Sequence, residues 1–177
     1  MMNIRNMRHK MVVMMVAGLI SFLSPLGSYL FISCSSIDCS VNSLVRTRYQ
    51  FTSSTGDSLK LMDTLNVVTK RKDGTDTLIF NQGDGITKFH LPISYSHPED
   101  ELVFHFDNGS LHMTDTVWIK KDDYPHFESV DCNASFFHTL TSIRHTNNVL
   151  DSAVIVNPSV TNDDQTVHVL LYPKVSD

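Results

Sequence analysis

Several signatures that would name a chemistry are missing from this chain. No G-x-S-x-G elbow is present, and no Ser, His and Asp spacing stands out, so the usual marks of a serine hydrolase are absent. No two histidines or cysteines have the H-x-H, H-x3-H or C-x2-C spacing that puts two zinc ligands on one local scaffold. Asp73-Gly74-Thr75-Asp76 and Asp84 lack the ligand ladder of an EF-hand, and a tight turn is the better reading there. There is no long block of like charge, no linker, no internal repeat and no low-complexity tract. No stretch after residue 39 has helical spacing. Only three cysteines and one tryptophan occur in 177 residues.

The front end is the informative part. Arg5, Arg8 and Lys10 precede an apolar run from Met11 to Leu23. A second burst, Tyr29-Leu30-Phe31-Ile32, ends at Ser33-Cys34. A basic head, an apolar middle and a small residue before a cysteine form a secretory signal of the bacterial lipoprotein kind. Cys34 would then be the lipidated first residue. Met11 to Ile32 also approaches the roughly 20 residues that cross a hydrocarbon core, and the basic head holds that end in the cytoplasm. Phe31 stands where a lipoprotein box usually has Leu, Val or Ile. An uncleaved anchor, or ordinary cleavage and release, therefore stays open. Met1, Met2, Met7 and Met11 are alternative starts. The expected organisation is a signal or anchor over 1–33, a tether over 34–43 and one domain over 44–177. All three export readings place residues 39–177 outside the cytoplasm, in the cell envelope, on the inner or outer membrane and facing periplasm or exterior.

From Cys34 onward the chain carries 11 basic against 19 acidic residues, a net charge of −8. Such a surface argues against nucleic acid and against adhesion to anionic lipid. If Cys34 takes lipid, Cys39 and Cys132 remain as an even pair in an oxidising compartment, and a disulfide between them is expected. The alternative is a free Cys39 and a small core Cys132.

The hydrophobic period of the exported part is two. Strands are expected at 44–51, 64–69, 76–80, 86–91, 101–106, 113–120, 135–145, 152–156 and 166–172. Lys72-Asp73-Gly74-Thr75 and Asp107-Asn108-Gly109 read as hairpin turns, because their residues tolerate positive φ. Many short strands at near-regular spacing give an all-β antiparallel sandwich or barrel. Alternation proposes a core of Leu65, Val67, Leu78, Phe80, Phe89, Leu91, Leu102, Phe104, Phe106, Val117, Ile119, Phe137, Ile143, Val154, Val156, Val167, Val169 and Leu171. In 135–145, Phe137 and Ile143 share one parity while Phe136 and Leu140 share the other. That pattern suggests a central strand, or a barrel strand with one wall on a cavity.

Leu91-Pro92-Ile93-Ser94-Tyr95, Pro98-Glu99-Asp100, Pro125-His126-Phe127-Glu128-Ser129-Val130-Asp131-Cys132 and Phe136-Phe137-His138 together resemble an uncharacterised family. It is the group of small secreted, often lipoprotein-like β-proteins of Bacteroidota classed as a domain of unknown function. The resemblance would cover residues 34–173 and includes the positions of Cys39 and Cys132. It implies a β fold and an envelope compartment, and it implies no activity.

His126, Cys132 and His138 are spaced by six, yet a disulfide at Cys132 would remove that ligand, and no metal or other cofactor is expected. The histidines, His90 and His105 among them, read as surface residues. A Cys132/His138 nucleophile pair is disfavoured in an oxidising compartment. Glu99-Asp100-Glu101 reads as a solvated turn, and no catalytic residue is assigned. Tyr95 and Trp118 are candidates for a binding face, where aromatics are enriched. Phe136 and His138, with Leu140, could line a cavity. Asp followed by Ser or Thr and a small or apolar residue recurs; exported proteins of the lineage that the chain resembles are O-glycosylated at such triplets, so the resemblance implies Ser58, Thr64, Thr77, Thr116 and Ser152 as candidate sites. Turn capping before a strand explains the same triplets. The expected function is a non-enzymatic envelope lipoprotein, held to a membrane through its lipid anchor, that binds a small ligand or an envelope protein partner. An envelope hydrolase, a small-ligand-binding barrel and an assembly subunit are the alternatives.

Overall fold

The structure is a computed structural model that describes residues 45–71 and 73–174. The signal segment, Cys34, the tether and Cys39 lie outside the described residues. Ten strands in two sheets make up the fold: β1 (Arg46–Phe51), β2 (Thr64–Lys70), β3 (Asp76–Gly83), β4 (Lys88–Pro92), β5 (Glu99–Asp107), β6 (His112–His126), β7 (Ser135–His145), β8 (Leu150–Ile155), β9 (Ser159–Val160) and β10 (Val169–Pro173). One sheet has the order β4-β1-β10-β8, the other β3-β2-β5-β6-β7-β9. All pairings are antiparallel except β1 with β10, which runs parallel. The described residues contain no helix and no closed barrel, so the all-β sandwich holds and the barrel does not.

The hairpins form where the turn residues allow them. Gly74 and Gly109 have φ of 81° and 85°, values that a side chain bearing a Cβ resists. At the first turn, Arg71 N–H donates to Thr75 O at 2.8 Å. At the second, Asp107 Oδ1 accepts Gly109 N–H at 2.7 Å.

Alternation delivers the core. Leu102, Phe104 and Phe106 of β5 and Val117 and Ile119 of β6 are buried from one sheet. Tyr49, Phe51, Phe89, Leu91, Val169 and Leu171 meet them from the other. Tyr49 stacks on Phe89 at 5.1 Å and lies edge-on to Phe104 at 6.2 Å, which ties the two layers together.

Three expected core residues are exposed: Leu78 (52%), Val154 (43%) and Val156 (49%). The β2–β3 ladder explains the first. Val67 faces Phe80 while the adjacent Val68 faces Leu78, with a shift of register between them. An extra residue on β3 thus puts Leu78 and Phe80 on opposite faces. In β8, Ala153 and Ile155 are paired with the inward Leu171 and Val169, so Val154 faces out beside Leu170. Ala153-Val154-Ile155-Val156 is apolar at both parities, and only the partner strand decides which face turns in.

A bulge also settles the ambiguous parity of β7. Lys120 pairs with Ser142 and Lys121 with Leu140, which leaves Thr141 as the extra residue. Ile143 before the bulge, and Leu140, His138 and Phe136 beyond it, therefore face the same layer. Phe137 turns to the other face of the hairpin, where it stacks on His126 at 4.2 Å and lies edge-on to Tyr124. β5 accompanies β6 only as far as Lys120, opposite Glu99. Past that point β6 is paired with β7 alone, and β7 keeps β9 on its other side as far as His138, opposite Val160, so residues 124–137 form a two-stranded arm with its tip at 127–134.

Candidate functional site

Register builds a site on the inner face of the β6–β7 hairpin. The cross-strand pairs Lys121–Leu140, Asp123–His138 and Pro125–Phe136 share that face. His138 is 1% exposed, and its Nδ1 lies 2.6 Å from Asp123 Oδ1. A carboxylate only accepts, so Nδ1 donates in this contact, which fixes the ring and leaves Nε2 for another partner. Phe136 stacks on Tyr95 of the β4–β5 loop, with centroids 4.6 Å apart and planes within 11°. Around these residues lies a cavity of about 240 Å³, lined by Val45, Pro92, Ile93, Tyr95, Ala134, Phe136 and His138. Six of its walls are apolar or aromatic, and His138 supplies the polar group. Such a space takes a ring or short chain and offers it one oriented hydrogen bond.

Three of the four expected binding-face residues, Tyr95, Phe136 and His138, thus meet in one place. Trp118 does not join them. It sits half-buried on the outer face of the six-stranded sheet, under the Arg144 guanidinium at 4.1 Å. Arg144 in turn holds Glu99 Oε2 at 3.1 Å.

Next to this cavity the sandwich end carries a buried ion pair. Glu99-Asp100-Glu101, expected as a solvated turn, is the start of β5. Asp100 points inward in phase with Leu102, and Lys121 points inward in phase with Ile119. Lys121 Nζ lies 3.3 Å from Asp100 Oδ1 and also donates to the His97 carbonyl, while Asp100 Oδ2 accepts Ser94 N–H at 3.1 Å. Burial raises the Asp100 carboxyl above its ordinary value, against the pull of Lys121. The pair fastens the β4–β5 loop that carries Tyr95. A second cavity, of about 480 Å³, borders it, lined by Lys70, Arg71, Glu99 and Glu101 among others. Lys70 and Glu101 already pair across it at 3.5 Å.

Two further buried polar residues work on the scaffold. Asp115 is fully buried and accepts four hydrogen bonds: from Thr146 Oγ1 at 2.6 Å and from the N–H groups of Asn148, Val149 and Leu150 at 2.9, 2.7 and 2.7 Å. Burial acts to raise its carboxyl, yet these donors together hold it below the ordinary value. His168, 1% exposed, accepts Arg48 N–H at Nδ1 (3.0 Å) and returns its own N–H to Arg48 O (2.9 Å), which joins β1 to the start of β10. Burial is the main cause that lowers its imidazole below the ordinary value. His138 and His168 are therefore interior residues, not the surface histidines that the pattern suggested. Their signal, and that of Asp100, Asp115 and Lys121, was a polar residue at an inward parity.

Among the described residues no group of three His, Cys, Asp or Glu side chains could hold a metal ion. Of the triplet hydroxyls, Ser58 is exposed, while Thr64, Thr77, Thr116 and Ser152 are half-buried within or beside strands. Cys132 is half-buried near the arm tip, its N–H directed to Ser129 O at 3.2 Å.

Neither a characterised protein nor a solved structure matches the chain. A family model does match, over residues 64–173, from the start of β2 to the end of β10. That span is more than half of the sequence, and the chain accordingly belongs to this family of unknown function, DUF6452.

Proposed function

We propose that this protein is an exported, lipid-anchored envelope domain of the Bacteroidota lipoprotein kind, acting by binding and not by catalysis. Its N-terminal sequence supports the anchor: a basic head, an apolar middle and Ser33 before Cys34. The observation that carries the binding half is the convergence of Tyr95, Phe136 and His138 on one cavity. Among the described residues its lining contains no aliphatic hydroxyl, thiol or carboxylate. A fixed imidazole among apolar walls suits recognition of an apolar or aromatic group that carries one hydrogen-bonding group.

Cys39 and Cys132 form the proposed disulfide, which staples the start of the domain to the arm tip. Cys132 is not a free group, and with Cys34 acylated, Cys39 is the remaining partner. Ser58, the exposed triplet hydroxyl, is the favoured glycan site. Intact mass of the native protein equal to lipid plus bare polypeptide removes that assignment.

Two experiments test the main reading. Metabolic labelling with an alkyne palmitate in the native host should mark the wild type and not Cys34→Ala; an unlabelled wild type overturns the anchor. Titration of the protein with phenol, followed by NMR, should give saturable shifts at His138 and at the Tyr95 and Phe136 rings. Shifts that are absent at millimolar phenol, or persist unchanged in Ala134→Phe, which fills the cavity, overturn the binding site.

A further inference from the structure

We infer that the tip of the β6–β7 arm is a membrane-contacting surface, seated in the interfacial layer of a zwitterionic bilayer. The inference rests on the anchor reading above and concerns the exposed tip next to the cavity, not the ligand site itself.

Exposure singles out this end. Val130 is 98% exposed and Phe127 61%, both in the tip, with Tyr124 (40%) opposite Phe137 in the arm and Tyr95 (64%) on the β4–β5 loop beside it. Side chains of this kind gain by leaving water, and aromatic rings are enriched at the level of lipid headgroups. Exposed apolar residues usually stand singly and need no explanation; four at one end, in and around the β6–β7 hairpin, are a different case.

Chain connectivity says what covers them. Val45 shares a cavity with Ala134 and Phe136, at the base of the tip. The chain therefore enters the described domain at the arm end. From Val45 back to Cys34 a fully extended chain reaches about 40 Å at most. A lipid on Cys34 thus holds this end nearest the bilayer. The opposite end, the β5–β6 turn at residues 107–112, lies about 40 Å from that entry point along β6 at strand rise, at the limit of a fully extended tether.

Charge narrows the surface. Asp122, Asp123, Glu128 and Asp131 are acidic and exposed in the same hairpin, and anionic headgroups repel them. The surface that fits is neutral overall, with apolar depth for Val130 and Phe127 and water left for the carboxylates.

The test uses the full-length acylated protein in vesicles of phosphatidylcholine brominated along its chains, whose bromines quench only a nearby indole. Wild type supplies the baseline from Trp118, which lies on the sheet face. Val130→Trp should lose at least half of its added emission on vesicle insertion, and Leu111→Trp, in the opposite turn, should lose none. An unquenched Val130→Trp in protein whose mass shows the lipid overturns this inference and leaves the anchor standing. Equal quenching of Leu111→Trp overturns it as well, since contact would then be unspecific. A mass without lipid overturns the anchor, and the membrane seat falls with it.

Discussion

Asp115 shows how much one inward polar residue can decide. It stands in β6 at the same parity as Val117 and Ile119, yet it takes no part in the apolar core. Its two oxygens collect four donors from the segment that leads β7 into β8. Asp115→Ala strands the N–H groups of Val149 and Leu150 in a buried place, and a loss of about 3 kcal/mol or more is expected, read as a drop in the urea midpoint. Because the folded carboxyl lies below its unfolded value near 3.9, its contribution is complete above that pH and is lost as pH falls through the folded value. Asp115→Asn should flatten the acid limb of the stability curve.

His168 works in the opposite direction. Its Nδ1 must stay a lone pair to receive Arg48 N–H. The unfolded imidazole takes a proton near pH 6.5, the folded one only at lower pH. Stability from this group is therefore full above pH 6.5 and falls as pH drops through that value toward the folded one. Arg48 and His90 oppose the proton on His168, and Asp163 favours it. Urea midpoints measured between pH 7.5 and 5.5 should decline in wild type and decline less in His168→Gln.

At the scale of elements, bulges and buried charge shape the end that holds the cavity. The extra Thr141 turns Phe136, His138 and Leu140 inward together. Without it, a strict period of two would split them from Ile143. The Asp100–Lys121 pair joins the first residues of β5 to the point where β6 leaves the sandwich. Lys121→Met leaves a buried carboxylate without its cation and should cost about 3–5 kcal/mol. Asp100→Leu combined with Lys121→Met removes both charges, and its thermal midpoint should lie well above that of the single variant. A double variant no more stable than Lys121→Met would show that the pair is not coupled.

Over the whole molecule, the proposed Cys39–Cys132 bond closes a loop that contains nearly every strand pairing up to β6. The chain-entropy account gives about 4–5 kcal/mol for a loop of this size. For a domain of this length that is on the order of 10 °C in thermal midpoint. Cys39→Ser with Cys132→Ser should show such a drop, and reduction should produce it in wild type but not in the variant. Equal midpoints with and without reductant in wild type would remove the bond.

The sequence by itself determined the strand content, both glycine hairpins and most of the core on β2, β4, β5 and β6. Those features depend on local parity and on residues whose backbone freedom is intrinsic. It also pointed to Tyr95 through residue type, and to Phe136 and His138 through their shared parity in 135–145. What only the tertiary structure decided was the face each residue occupies after a bulge, the inward Asp100, Asp115, Lys121 and His168, and the meeting of Tyr95 with Phe136. An inserted residue reverses every parity beyond it without changing composition. A buried charge is acceptable only where a distant strand brings its partner, and no local pattern records which strand that will be.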